Sequence, residues 1–175
     1  MTRFAFVVLA IAALVGPLPA DSQLVGGVFG TRARDSFGGT NGFGAEAGVS
    51  LPLLPIEVVG SGTHLNPSCI GCVLSGWSLG VKFQMPLSPV VRSYVTVGRT
   101  WRDLEDPSDG LMLDDEGIFA GPGMEIVFPE TRAGIFFEGR YEFLTSDSGP
   151  TQDLRQWVWR AGLTMRWGGL PLLDG

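Results

Sequence analysis

What most constrains this chain is a two-residue alternation of large apolar side chains with small or charged ones, repeated in segment after segment, with no helical period between them. Over residues 77–85, Trp77, Leu79, Val81, Phe83 and Met85 point one way, and Ser78, Gly80, Lys82 and Gln84 the other. Over 157–167, Trp157, Trp159, Ala161, Leu163, Met165 and Trp167 share a face opposite Val158, Arg160, Gly162, Thr164 and Arg166. Over 132–143, Ala133, Ile135, Phe137, Gly139, Tyr141 and Phe143 oppose Arg132, Gly134, Phe136, Glu138, Arg140 and Glu142 in the same way. Residues 118–128 continue the pattern, weakened at Pro122 because proline cannot donate to a ladder. Segments 42–51, 56–63 and 91–101 alternate less cleanly, and the faces of a first strand near 23–32 are ambiguous. The expectation is an all-β chain of eight strands.

The connections alternate in length, which alternation of faces does not require. Short turns fall at 52–55, 86–89 and 129–131, and longer polar loops at 33–41, 64–72, 103–116 and 146–153. An antiparallel up-and-down barrel places short turns at one end and long loops at the other, as transmembrane barrels do with periplasmic turns and extracellular loops.

Which face meets solvent is a separate question. A soluble lipocalin-like barrel carrying an apolar ligand would bury the same Trp and Leu residues and expose the Arg and Glu residues. Composition favours the opposite arrangement. Charged residues are 17% of the chain, against roughly 25% in an ordinary soluble protein. Of twelve basic residues, only Lys82 is a lysine, the residue that would dominate a solvated face. The polar face is rich in glycine, serine and threonine, which suits a narrow lumen. Aromatics gather toward strand ends, with Trp77, Trp101, Trp157 and Phe143 toward the long loops and Phe83, Phe128 and Trp167 toward the short turns; these read as two interfacial girdles.

With that orientation, Glu46, Glu57, Lys82, Arg92, Glu125, Glu138, Arg140, Glu142, Arg160 and Arg166 point inward. They are mixed in sign and can pair across the lumen, plugging an interior only wide enough for side chains. A one-residue slip would turn Arg140 and Arg160 toward lipid at about 2–4 kcal/mol each, so the register is strongly specified. A structural ion-pair network is the expectation; a narrow conduction path is its alternative.

Arg3, the apolar run 4–16 and the small-residue end at Ala20 form a secretory signal peptide, with cleavage expected before Asp21. The run is shorter than the roughly 20 residues of a spanning helix. The expected organisation is a cleaved signal at 1–20, one barrel domain at 21–168 and a short tail at 169–175, with no linker between. A net charge of −6 argues against nucleic-acid partners.

The last strand reads Arg160-Ala161-Gly162-Leu163-Thr164-Met165-Arg166-Trp167. The placing of Arg160, Gly162, Met165 and Trp167 resembles the β-signal recognised by barrel-assembly machinery. Together with the signal peptide and the eight strands, the chain resembles the small outer-membrane β-barrels of the OmpA-like and OmpX-like superfamily. The resemblance implies residence in the bacterial outer membrane, among lipid and lipopolysaccharide, and assembly by that machinery.

Three features could carry chemistry. Cys69 and Cys72 form a C-x-x-C in a long loop, where an exported chain meets oxidising conditions; a loop-pinning disulfide is expected, since the βαβ scaffold of thiol oxidoreductases is missing from the pattern. His64, the only histidine, could join the cysteines as a partial metal site, but three ligands without a fourth are weak. His64 would also have to serve any Ser-His hydrolase. The lipid A deacylases among such barrels carry serine two residues after the histidine, where this chain has Asn66. Asp103, Glu105, Asp106, Asp109, Asp114, Asp115 and Glu116 make a dense acidic loop that matches no calcium-loop spacing and reads as a solvated face. The expectation is a monomeric, non-enzymatic outer-membrane barrel without catalytic, metal or cofactor residues, supporting the envelope or presenting its loops to an external partner. A soluble carrier, a lipid A-modifying enzyme and a narrow channel are the alternatives.

Overall fold

The computed structural model describes residues 23–35, 38–51, 54–66, 73–106, 111–146 and 154–168. Alternation becomes strand in every segment that carries it: β1 Gln23–Asp35, β2 Gly38–Leu51, β3 Ile56–Asn66, β4 Val73–Pro86, β5 Val91–Asp106, β6 Leu111–Phe128, β7 Ala133–Ser146 and β8 Leu154–Trp167. Each strand pairs antiparallel with the next, and β1 pairs with β8 from Leu24↔Trp167 to Arg34↔Trp157, closing an eight-stranded barrel. Closure leaves no strand edge unpaired, which is the condition for placing a sheet in hydrocarbon.

Burial runs opposite to that of a soluble protein. Leu163 is 59% exposed, Ile118 58% and Phe137 50%, whereas Glu57 and Glu138 are 0% and Arg160 is 1% exposed. The apolar face is outside and the charged face is the core, which is the transmembrane type of barrel. On β8 the outward Trp157 and Trp167 stand ten residues apart. At a rise of about 3.3 Å and a tilt of about 40° this separates them by roughly 25 Å, the height of the apolar band of such barrels.

The ambiguous first strand resolves through its neighbours. Val25, Phe29, Thr31 and Ala33 of β1 are buried in the lumen, and Leu24, Val28, Arg32 and Arg34 face outward. Its sequence is nearly as apolar on one side as on the other, so only pairing with β2 and β8 selects a register.

The long loops are shorter than their polarity implies. The segment 33–41 is ladder up to Asp35 and again from Gly38, β3 continues through His64 to Asn66, and the acidic segment 103–116 is largely hairpin, with Asp103↔Asp114 and Arg102↔Asp115 in register. Polar composition marks where lipid ends, while backbone hydrogen bonding carries the ladder on above it.

Pro122 does not interrupt β6. It faces outward and pairs with Val95 of β5, but the ladder to β7 passes from Ala120↔Tyr141 directly to Gly123↔Glu138, skipping Gly121 and Pro122, so the proline weakens that one seam. Glycine is required beside it. A Cβ on Gly121 would stand 1.8 Å from the carbonyl oxygen of Gly139, so β6 and β7 approach there more closely than any side chain permits.

Candidate functional site: the charged lumen

Because strand period is two, inward positions recur on every strand, and the barrel converges them on one axis. Toward the short turns, Arg166 of β8 reaches Glu57 of β3 at 3.1 Å and Glu125 of β6 at 2.6 Å. Thr164 donates to Glu125 at 2.6 Å, and Gln84 to Glu57 at 2.9 Å. At mid-height, Lys82 of β4 meets Glu46 of β2 at 2.8 Å and Glu57 at 3.4 Å. Arg160 of β8 meets the same Glu46 at 3.1 Å and Glu138 of β7 at 3.2 Å, and Arg140 donates to Glu138. Toward the long loops, Arg140 also donates to Ser78 at 3.1 Å, Ser78 and Ser61 share a hydrogen bond of 2.7 Å, and Arg102 of β5 pairs with Glu142 of β7, which accepts from Gln156 at 3.0 Å.

Five carboxylates, Glu46, Glu57, Glu125, Glu138 and Glu142, thus face five cations, Lys82, Arg102, Arg140, Arg160 and Arg166. Several of the ties join strands that are not neighbours, so they brace the barrel across its diameter. Aromatic rings fill the space between them. The Arg160 guanidinium lies 3.5 Å from the centre of the Phe29 ring, and that of Arg140 lies 4.2 Å from the centre of Phe119. Such cation–π contacts are worth more where both groups are desolvated. A cavity of about 20 Å³ remains near the loop end, among Thr31, Ser61, Thr63, Thr100, Arg102 and Glu142. That is room for about one water.

Nine of the ten inward charges expected from the sequence join this network. The exception is Arg92, which is half-buried on the inner side at the turn end of β5 and forms no ion pair among the described residues. Sequence reasoning missed Arg102 because it placed that residue at the edge of a loop. The parity Arg92, Tyr94, Thr96, Thr100, Arg102 along β5 was the available signal. It also missed Phe29 and Phe119 as lumenal, since their β-strand spacing does not distinguish a ring inside from one outside.

Of the girdle residues, Phe83, Phe128, Phe143, Trp157 and Trp167 are exposed on the outer wall. Trp77 and Trp101 pair in register between β4 and β5 and stack with ring centroids 3.8 Å apart, each covering the other in part. In the terminal motif, Arg160 points in and Met165 and Trp167 point out, while a Cβ on Gly162 would stand 2.1 Å from the Val28 carbonyl oxygen. His64 sits in β3, not in a loop, paired with Phe43 and Ser75 and 5.4 Å from the Phe43 ring. Cys69, Cys72, Asp109, the signal segment 1–20 and the tail 169–175 lie outside the described residues.

Neither a protein-family model nor a curated protein sequence matches the chain. Its fold is similar to that of solved barrels at low identity. Neisserial surface protein A (NspA) superposes with a TM-score of 0.60 at 14% identity, covering 83% of this chain and 97% of that one. The N-terminal β-barrel domain of Pseudomonas aeruginosa OprF gives 0.61 at 14% identity, covering 84% and 98%. Ail, the attachment invasion locus protein of Yersinia pestis, solved in complex with the heparin analogue sucrose octasulfate, gives 0.55 at 14% identity, covering 83% and 97%.

Proposed function

We propose that this chain is an integral outer-membrane protein of closed lumen whose task is carried by its outer ends and wall, as an envelope-supporting or surface-interacting barrel and not as an enzyme. The observation that carries the reading is the inverted burial: an outward apolar band about 25 Å high around a core of paired charges. A soluble carrier needs an apolar cavity, and this lumen is filled by ion pairs and rings. An enzyme or channel needs an accessible site or passage, and the lumenal cavity has room for about one water.

In this reading residues 1–20 direct export and are removed, barrel-assembly machinery recognises the terminal strand through Arg160, Gly162, Met165 and Trp167, and the monomer lies among outer-membrane lipid and lipopolysaccharide. The four long hairpins face outward, one of them pinned by Cys69–Cys72. The similarity to NspA, OprF and Ail supports the membrane setting, and the sucrose octasulfate complex of Ail supports barrels of this shape as presenters of binding surfaces.

Two measurements test it together. Detergent-extracted protein is expected to run faster on a gel unboiled than boiled, since a closed barrel stays folded in cold detergent. Asp109→Cys in a Cys69→Ser/Cys72→Ser background is expected to react with a membrane-impermeant maleimide on intact cells. Soluble protein without a boiling shift would return the carrier to first place, and labelling only after envelope disruption would reverse the orientation.

A further inference from the structure

Arginine on the lipid side of a barrel requires a partner or an exit to the headgroups. Among the described residues, Arg32 and Arg34 of β1, Arg99 of β5 and Arg155 of β8 face outward, all in the half toward the long loops. Arg99 is neutralised by Glu116 at 3.2 Å. Among the described residues, Arg32 and Arg34 have no carboxylate within ion-pair distance.

Their positions are specific. Arg34 stands opposite Trp157 and Arg32 opposite Trp159 across β8, and Leu24, ten residues before Arg34, stands opposite Trp167. Arg34 is therefore at the level of the loop-side girdle, where headgroups lie, and Arg32 one pleat inside it. The Arg32 side chain folds back toward the loop end. Its Nε and Nη2 atoms lie 3.6 Å from where a Cβ of Gly39 would stand, and Gly39 is the residue of β2 opposite Arg34. Snorkelling thus brings the Arg32 guanidinium toward the level of Arg34, and glycine leaves the room for it.

Beneath them the outer wall is indented. A shallow, open depression of about 330 Å³ lies over Gly30 and Ala161, bordered by Arg32 and by Trp159 and Phe137, whose rings stack with centroids 5.6 Å apart. Trp157 stacks on Trp159 at the same spacing and extends the aromatic surface up to the level of Arg34. Two unneutralised cations at headgroup height above an apolar depression fit a phosphate above an acyl chain, since guanidinium matches phosphate in a bidentate fork. Flat aromatic faces beside them suit a sugar ring.

We propose that Arg32 and Arg34, with the depression over Gly30 and Ala161 beneath them, bind one phosphorylated glycolipid of the outer leaflet, its phosphate on the guanidiniums and one acyl chain in the depression. The leaflet assignment rests on the outward orientation of the long hairpins proposed above.

The test is native mass spectrometry of the purified mature barrel in detergent, mixed in turn with bisphosphorylated lipid A, the same lipid dephosphorylated, and phosphatidylglycerol. Wild type is expected to retain one lipid A, with at least tenfold weaker retention of the other two. Arg32→Gln/Arg34→Gln is expected to lower lipid A retention at least tenfold, Ala161→Leu to lower it with both arginines intact, and Arg132→Gln, in a turn at the other end, to leave it unchanged. The boiling shift establishes that each variant is folded. Equal retention by wild type and the double arginine variant overturns the site, as does phosphatidylglycerol binding as tightly as lipid A. Because the assay is made in micelles, it is independent of orientation in the cell, so labelling of Asp109→Cys from the wrong side would overturn the leaflet assignment while leaving the phosphate-dependent binding in place.

Discussion

Arg160 ties together much of the lumen: it is 1% exposed, bonds Glu46 and Glu138 on two other strands, and lies against the Phe29 ring. Removing one partner of a buried pair leaves the other charged and unsolvated, at a cost of about 3–5 kcal/mol. Arg160→Met is therefore expected to lower the urea midpoint of the folded gel band by that equivalent. Adding Glu138→Gln to it should cost less than the sum of the single losses, because the second substitution removes a charge the first has stranded. A loss equal to that of an outer-wall alanine substitution would show that the network holds nothing. A smaller effect is expected at Arg132, which has φ 55°, in the left-handed region that L side chains adopt at a cost of about 1–2 kcal/mol. Arg132→Gly relieves that strain while adding unfolded-state entropy, so it should raise the midpoint by up to about 1 kcal/mol equivalent. The Arg132 carbonyl still accepts from the Arg166 amide at 3.0 Å, so the turn itself should not change.

The strands carry a depth scale. Leu163 of β8 faces outward four residues above Trp167, well inside the apolar band, whereas Thr145 of β7 faces outward beyond it, four residues past Tyr141, the partner of Trp157. Arginine at the first position is expected to destabilise by about 2–4 kcal/mol and at the second by roughly 0–1. Equal losses in a denaturant titration in lipid vesicles would mean that the band is not where the wall places it. Between β6 and β7 the constraint is steric, not solvent. Gly121→Val should abolish the heat-modifiable band, since the added side chain would occupy the Gly139 carbonyl position and the two strands could not pair.

At the scale of the whole molecule, the proposed closure of the lumen makes a functional prediction. Five carboxylates and five cations are paired along the axis with aromatic rings between them, so planar-bilayer recordings of the purified barrel are expected to show no conductance steps. Discrete steps of constant size would make the plug a gate. Much of this molecule was legible beforehand. Most of the inward set from Glu46 to Arg166 was readable because its members alternate with large apolar residues, Glu46 between Ala45 and Ala47 being an exception, and a slip by one would have put arginine in lipid. Arg102 escaped because it lies where apolar alternation stops, and β1 because Val25 and Phe29 inside are as apolar as Leu24 and Val28 outside.

Strand number, the inside-out burial and the charge content of the lumen were determined by the chain alone, since period-two patterning assigns each side chain to a face and composition assigns the faces to their solvents. Tertiary closure decided which charges meet. Glu46 and Arg160 lie 114 residues apart and pair at 3.1 Å, and Arg32 comes to stand beside Trp159 only because β1 closes on β8. Local sequence carries no information about the far side of a barrel; closure supplies it by fixing the register of the first strand against the last.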